Sequence, residues 1–322
     1  MNDILTLLGK HGLIPVIKID SVDYALPLAK ALCAGGLPVA EITFRTNCAK
    51  EAIEIITKEI PNMLVGAGTI LTCDQAQAAI SAGAKFIVSP GINPKVVKYC
   101  IDEGIAVTPG CSSPTDIETA LDLGLDAVKF FPAEAAGGLD MIKALAAPYG
   151  NLKFIPTGGI NETNLTAYLK FDKILACGGS FMIKDEYIKT GEFDKITALT
   201  KNALSVMFGF ELKHLGINSP DEGECRKYAD LITAMFNFQQ KESKGGIMCG
   251  DYFEFMKSPY LGTYGHIGIG TNTIYRAVPY FERMGIKFNP DAIKYDDKGN
   301  MTAAYFKDEF FGFAVHLVQK NN

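Results

Sequence analysis

The chain has 322 residues, 48% of them hydrophobic and 21% charged, which supports one or two sizeable cores and excludes a disordered chain. Its formal net charge is −5 and no block of lysine or arginine stands out, which speaks against a nucleic-acid or anionic-membrane partner. The 32 glycines favour a fold with many tight strand–helix turns.

From Leu13 to about Leu204, short apolar runs alternate with stretches of helical period. Strands are predicted at Leu13–Ile19, Val39–Arg45, Met63–Ile70, Lys85–Gly91, Ala106–Gly110, Ala127–Pro132, Leu152–Gly158 and Lys173–Gly179. Helical runs such as Asp23–Ala34, Cys48–Ile60 and Pro94–Glu103 follow them, and Gly35, Gly83, Gly104 and Gly124 punctuate the helix ends. Eight βα units in about 200 residues predict an α/β fold, a (β/α)8 TIM barrel over residues 1–204, with an open doubly wound sheet as the alternative.

The pattern changes from about Phe208. His214-Leu215-Gly216-Ile217 is echoed 52 residues later by His266-Ile267-Gly268-Ile269. Each reads as a strand leading into a helix, Glu222–Phe236 or Ile274–Met284, with strand-like stretches such as Asp251–Met256 and Gly312–Gln319 beyond. The internal repeat predicts a smaller α+β domain of paired βαβββ modules over residues 210–322, reached by a short linker near Ser205–Gly209.

Eight cysteines are scattered without a C-x-x-C pair or zinc-type spacing, as expected of free thiols in a reducing compartment. Met1–Lys10 lacks the basic start of a secretory signal, and no apolar stretch approaches the ~20 residues of a membrane span. A soluble, cytoplasmic protein is expected.

A (β/α)8 barrel builds its active site at the C-terminal ends of its strands. The second strand offers Glu41, Thr43 and Arg45 at period-two spacing, on one face. Arg45 is the sole arginine among the first 225 residues, and a planar guanidinium at a strand end matches a carboxylate. A structural salt bridge is the alternative. Lys129 lies in the apolar strand Ala127-Val128-Lys129-Phe130-Phe131-Pro132. In low-dielectric surroundings a free amine attacks a ketone to form a Schiff base, whereas a snorkelling lysine would serve no chemistry. Lys18, at the end of the first strand, is a rival cation more in keeping with a solvated role. Pro156-Thr157-Gly158-Gly159-Ile160 and Gly178-Gly179-Ser180 supply glycine-rich turns where this fold commonly binds phosphate through backbone N–H groups.

Six segments in order resemble the bacterial KDPG/KHG aldolases: Glu41-Ile42-Thr43-Phe44-Arg45-Thr46, Gly66-Ala67-Gly68-Thr69, Ser89-Pro90-Gly91, Lys129-Phe130-Phe131-Pro132-Ala133-Glu134, and the two glycine-rich turns. The resemblance covers roughly Ile4 to Leu204. It implies a metal-independent class I aldolase that cleaves 2-keto-3-deoxy-6-phosphogluconate or 4-hydroxy-2-oxoglutarate to pyruvate plus glyceraldehyde 3-phosphate or glyoxylate. By that resemblance Lys129 is the Schiff-base lysine and Glu41 the general acid/base. Arg45 and Thr69 hold the pyruvyl carboxylate and Thr157 meets substrate hydroxyls. Gly159, Gly179 and Ser180 hold the phosphate, with Pro90 and Gly158 counted among the substrate-binding positions. A homotrimer is implied, acting on small 2-keto acids. An aldolase for a different 2-keto-3-deoxy sugar acid is the alternative.

In the second domain, His214, His266, His316 and Glu254 offer three imidazoles and a carboxylate for Zn²⁺, Ni²⁺, Mn²⁺ or Fe²⁺. Residues of about 210 to 319 resemble the glyoxalase/vicinal-oxygen-chelate superfamily. That resemblance implies ligands on the first and last strands of each module, at these four positions. The last is usually glutamate, so His316 departs from the glyoxalase pattern. A metal-free ligand-sensing or assembly module is the alternative.

Overall fold

A capped helix opens the chain ahead of the first strand. In α1 (Asp3–His11) the Asn2 side chain accepts from the Ile4 N–H, and Gly12 closes the helix in the left-handed conformation. The repeated units follow as β1 (Leu13–Ile17), α2 (Ala25–Ala34), β2 (Val39–Thr43), α3 (Ala49–Glu59), β3 (Leu64–Gly68), α4 (Cys73–Ser81), β4 (Phe86–Val88) and α5 (Pro94–Asp102). They continue through β5 (Ala106–Thr108), α6 (Pro114–Asp122), β6 (Ala127–Phe130), α7 (Gly138–Ala146), β7 (Lys153–Pro156), α8 (Leu165–Lys170), β8 (Cys177–Gly179), α9 (Asp185–Lys189) and α10 (Phe193–Phe208). The computed structural model describes residues 1–320, and the chain divides into two units, Met1–Met207 and Phe208 onward.

The barrel strands are parallel. One run is ordered β5-β4-β3-β2-β1-β8 and a second pairs β6 with β7. Bridges Gly110↔Lys129, Phe154↔Ile174 and Thr157↔Gly178 join the two runs into a ring. The pairing of β1 with β8 sets aside the open-sheet alternative. Every barrel strand is shorter than predicted. Most end early, where residues past the paired segment peel away into the βα turns, whereas β8 keeps its end at Gly179 and starts late, at Cys177. Arg45 is corrected by the early end of β2. It follows β2 in a turn instead of lying on the strand.

Helices bury stripes at helical spacing, Leu28, Ala29 and Leu32 on α2 and Ala52, Ile53 and Ile56 on α3. Each large apolar side chain so buried contributes roughly 1.5–3 kcal/mol. α6 has its start fixed by Pro114 and by a reciprocal Ser113–Asp116 capping box.

The second unit comprises β9 (Glu211–Asn218), α11 (Glu222–Phe236), β10 (Gln240–Glu242), β11 (Gly246–Cys249), β12 (Phe253–Met256), β13 (Gly265–Thr271), α12 (Ile274–Arg283), β14 (Phe288–Tyr295), β15 (Met301–Phe310) and β16 (Phe313–Gln319). Its eight-stranded sheet runs β10-β11-β12-β9-β13-β16-β15-β14. The first strand of each βαβββ set lies parallel to its own last strand, β9 to β12 and β13 to β16, and β9 and β13 meet antiparallel at the centre. Cys225 and Ala229 of α11 pack on Ile247, Cys249 and Phe255, so by strand alternation Glu254 faces the other side. The predicted boundary falls on the last turn of α10, with β9 beginning three residues later. Among the described residues no helix is long and apolar enough to cross a membrane.

Candidate active site and candidate metal centre

Glu41 and Thr43 sit on β2 and Lys129 on β6, all buried inside the barrel. Lys129 Nζ lies 3.4 Å from Glu41 Oε1, with side chains only 7% and 4% exposed. Lys129 is held at both backbone groups, its N–H donating to Pro109 O at 2.9 Å and its carbonyl accepting from Cys111 N at 2.8 Å. Space for Glu41 comes from its neighbour. A Cβ at Gly68 would stand 2.1 Å from Glu41 Oε1, so the glycine leaves the carboxylate free to hold this position.

Thr43 Oγ1 donates to Ile17 O at 2.9 Å and accepts from Arg45 Nε at 3.2 Å, which tethers the guanidinium beside the strand end. Thr69 follows β3 with φ 60°, an uncommon conformation for a non-glycine residue and especially for a β-branched one. Beyond β4, Ser89 Oγ donates to Gly91 O at 2.7 Å, and Gly110 packs so closely on the Pro90 carbonyl that a Cβ would be 2.0 Å away.

Thr157 follows β7 and is 6% exposed, and its Oγ1 lacks a hydrogen-bond partner among the described residues. Gly158 and Gly159 turn with φ 98° and 85°. The Asn161 and Asn164 amides donate to Gly159 O at 3.1 and 3.0 Å, while Glu134, bonded to the Tyr168 hydroxyl, packs over Gly159. Gly179 ends β8 and Ser180 is exposed just beyond it. Lys18 pairs with Asp20 at 2.7 Å and both are about two-fifths exposed, in keeping with a solvated role.

In the second unit four donor groups converge on the sheet face opposite α11. His266 Nε2 lies 3.1 Å from His214 Nε2 and 3.2 Å from Glu254 Oε2, and His316 Nε2 lies 3.3 Å from His214 Nε2. Glu254 reaches His214 at 3.7 Å. The three histidines form the compact set, with Glu254 joining from the His266 side.

Register explains the convergence. Glu254, Gly216, His266 and Ala314 align in one row across β12, β9, β13 and β16, and His214, Gly268, His316 and Tyr305 in a second across β9, β13, β16 and β15. Each repeat's glycine therefore stands beneath the other repeat's imidazole. A Cβ at Gly216 would be 2.0 Å from the His266 ring, and one at Gly268 2.5 Å from that of His214. Burial first, then the neighbouring imidazoles, pushes His316 well below the usual imidazole range, and burial lowers His214 as well. The His266 hydrogen bond holds Glu254 below the usual carboxylate range. His214 and His316 thus favour the neutral form, with lone pairs to offer, beside an ionised Glu254.

Several positions carried only a weak sequence signal. Gly68, Gly216 and Gly268 are strand glycines, the mark of a close approach, but the group approaching them is distant in sequence. Tyr305 stacks on His316 with ring centroids 4.2 Å apart, and it had no sequence signal.

Residues 4–199 match the family model described as KDPG and KHG aldolase. The chain is 47% identical over 207 residues to the 2-dehydro-3-deoxy-phosphogluconate aldolase of Treponema pallidum, covering 64% of this chain and 99% of that one. It is 41% identical over 199 residues to the KHG/KDPG aldolase of Escherichia coli K12, covering 62% and 93%. Among solved structures, the KDPG aldolase of Legionella pneumophila, with pyruvate captured at low pH as a covalent carbinolamine intermediate, aligns at TM-score 0.61 and 38% identity over 63% of this chain and 98% of that one. With a closed (β/α)8 barrel that buries a lysine–carboxylate pair, the chain belongs to the KDPG and KHG aldolase family.

Proposed function

We propose that the barrel is a class I aldolase that cleaves 2-keto-3-deoxy-6-phosphogluconate to pyruvate and glyceraldehyde 3-phosphate, and 4-hydroxy-2-oxoglutarate to pyruvate and glyoxylate. The observation that carries this reading is the buried Lys129–Glu41 pair at 3.4 Å. The Lys129 amine adds to the C2 carbonyl, giving a carbinolamine that loses water to an iminium. Glu41 takes the C4 hydroxyl proton as the C3–C4 bond breaks. The bonding electrons pass into the iminium to leave an enamine, and the aldehyde departs. Protonation at C3 and hydrolysis then release pyruvate and the free amine. Thr157, a buried hydroxyl without a partner, is the group for a substrate hydroxyl, and Arg45 with Thr69 for the carboxylate. The Gly158–Gly159 turn, Gly179 and Ser180 hold the phosphate, with Pro90 shaping the wall. Borohydride reduction with pyruvate should add one pyruvyl group, at Lys129. A label on another lysine rejects the mechanism, and cleavage rates on the two substrates rank them.

The second unit we read as a divalent metal centre held by His214, Glu254, His266 and His316. Metal–nitrogen bonds of about 2.1 Å place neighbouring donors roughly 3 Å apart, close to the separations in this cluster. The nitrogen-rich set without thiolate fits Zn²⁺, Mn²⁺, Fe²⁺ or Ni²⁺. Such an ion would polarise an oxygen ligand. Elemental analysis of protein made without a histidine tag should give a stoichiometric metal that His266→Ala loses. A metal-free native protein refutes this reading.

A further inference from the structure

The sheet face bearing the histidines also carries a cation that the ligand set does not use. Lys294 lies on β14 at the far edge of the sheet, two residues beyond Ala292, so both side chains point to one face. Ala292 packs with Tyr305 and Ala314, and Tyr305 stacks on His316, which puts that face on the histidine side. Lys294 Nζ stands 5.8 Å from the Tyr260 ring centroid, and Tyr260 lies edge-on to Tyr305 at 6.0 Å. Among the described residues no carboxylate is within ion-pair distance of Lys294. Successive ring contacts, Tyr260 on Tyr305 and Tyr305 on His316, link it to the cluster.

The charge balance of the site gives this lysine a use. Three neutral imidazoles and one carboxylate around a divalent ion leave about one unit of positive charge, and Lys294 adds another. We propose that the second unit binds a small carboxylate-bearing ligand at its metal centre, with Lys294 pairing the carboxylate and Tyr260 and Tyr305 forming the walls. This rests on the metal reading above and adds the chemical class of the ligand and the residue that selects it. Lys294 makes no contact with the ligand set, so removing its charge should leave metal loading intact.

The test uses the full chain loaded with Co²⁺, whose visible absorption reports only on the metal, so that any carboxylate binding in the barrel is silent. Oxalate is the anionic probe and imidazole the neutral one. Oxalate should shift the Co²⁺ spectrum, and Lys294→Gln should weaken that binding about tenfold while Lys294→Arg retains it. Imidazole should bind the parent and Lys294→Gln alike. A spectrum that oxalate does not move, or an oxalate affinity unchanged in Lys294→Gln, overturns the proposal and leaves the metal reading standing. Failure of the parent protein to take up Co²⁺ overturns both.

Discussion

Glu41 Oε1 and Lys129 Nζ, 88 residues apart in the chain, lie 3.4 Å from one another inside the barrel. The amine can form the imine without help at every step, whereas bond cleavage needs a base at the C4 hydroxyl. Glu41→Gln is therefore expected to lower kcat by about 10²–10⁴-fold. Borohydride should still trap pyruvate on Lys129 after long incubation. A kcat within tenfold of the parent would remove Glu41 from the proton-transfer role.

Gly68 tests the same pair from behind. An added Cβ would stand 2.1 Å from Glu41 Oε1 and 2.8 Å from its Cγ and Cδ, so the carboxylate must swing away. Gly68→Ala should reduce kcat at least tenfold with the barrel still folded. Thermal melting alongside steady-state kinetics separates the two effects. Full activity would mean that Glu41 need not hold the observed position.

The central glycines of the second unit make a sharper prediction. Gly216→Ala and Gly268→Ala each drive a methyl into an imidazole, and overpacking of this kind costs about 1–3 kcal/mol. Both variants should also lose metal affinity, because the displaced rings are His266 and His214. Gly245→Ala is the control, since its Cβ would meet only Met256 Cε at 3.9 Å. Denaturant titration and metal stoichiometry of the three variants provide the check.

Buried thiols set a pH limit. Burial pushes Cys111 up to about 12, with Asp116 adding to the shift, and Cys100 up to about 11, with Cys73 adding. Iodoacetamide at pH 8 should modify the half-buried Cys48 and Cys73 before either of these, as mass spectrometry would show. Because the folded values lie above those of an unfolded thiol, the stability these groups contribute is complete below about pH 9. It falls as pH rises towards 11–12. Alkylation of Cys111 in native protein at pH 8 would contradict its burial.

The strand–helix alternation was legible because each barrel strand is a short apolar run and each following helix buries a stripe at helical spacing. Lys129 stood out as a charge within such a run, and Arg45 as a lone guanidinium. The paired modules were legible from the two His-x-Gly-x repeats. These features are local, and a one-dimensional pattern records them. Strand lengths were not, because a strand ends where its neighbour stops pairing, and that moved Arg45 off β2 into the turn. Ring closure through β1 and β8, the 3.4 Å meeting of Glu41 with Lys129, and the placing of Gly216 beneath His266 all depend on register between distant segments. Lys294 is the plainest case. By sequence it is one solvated lysine among many, and only the shared face of β14, β15 and β16 brings it to the histidines.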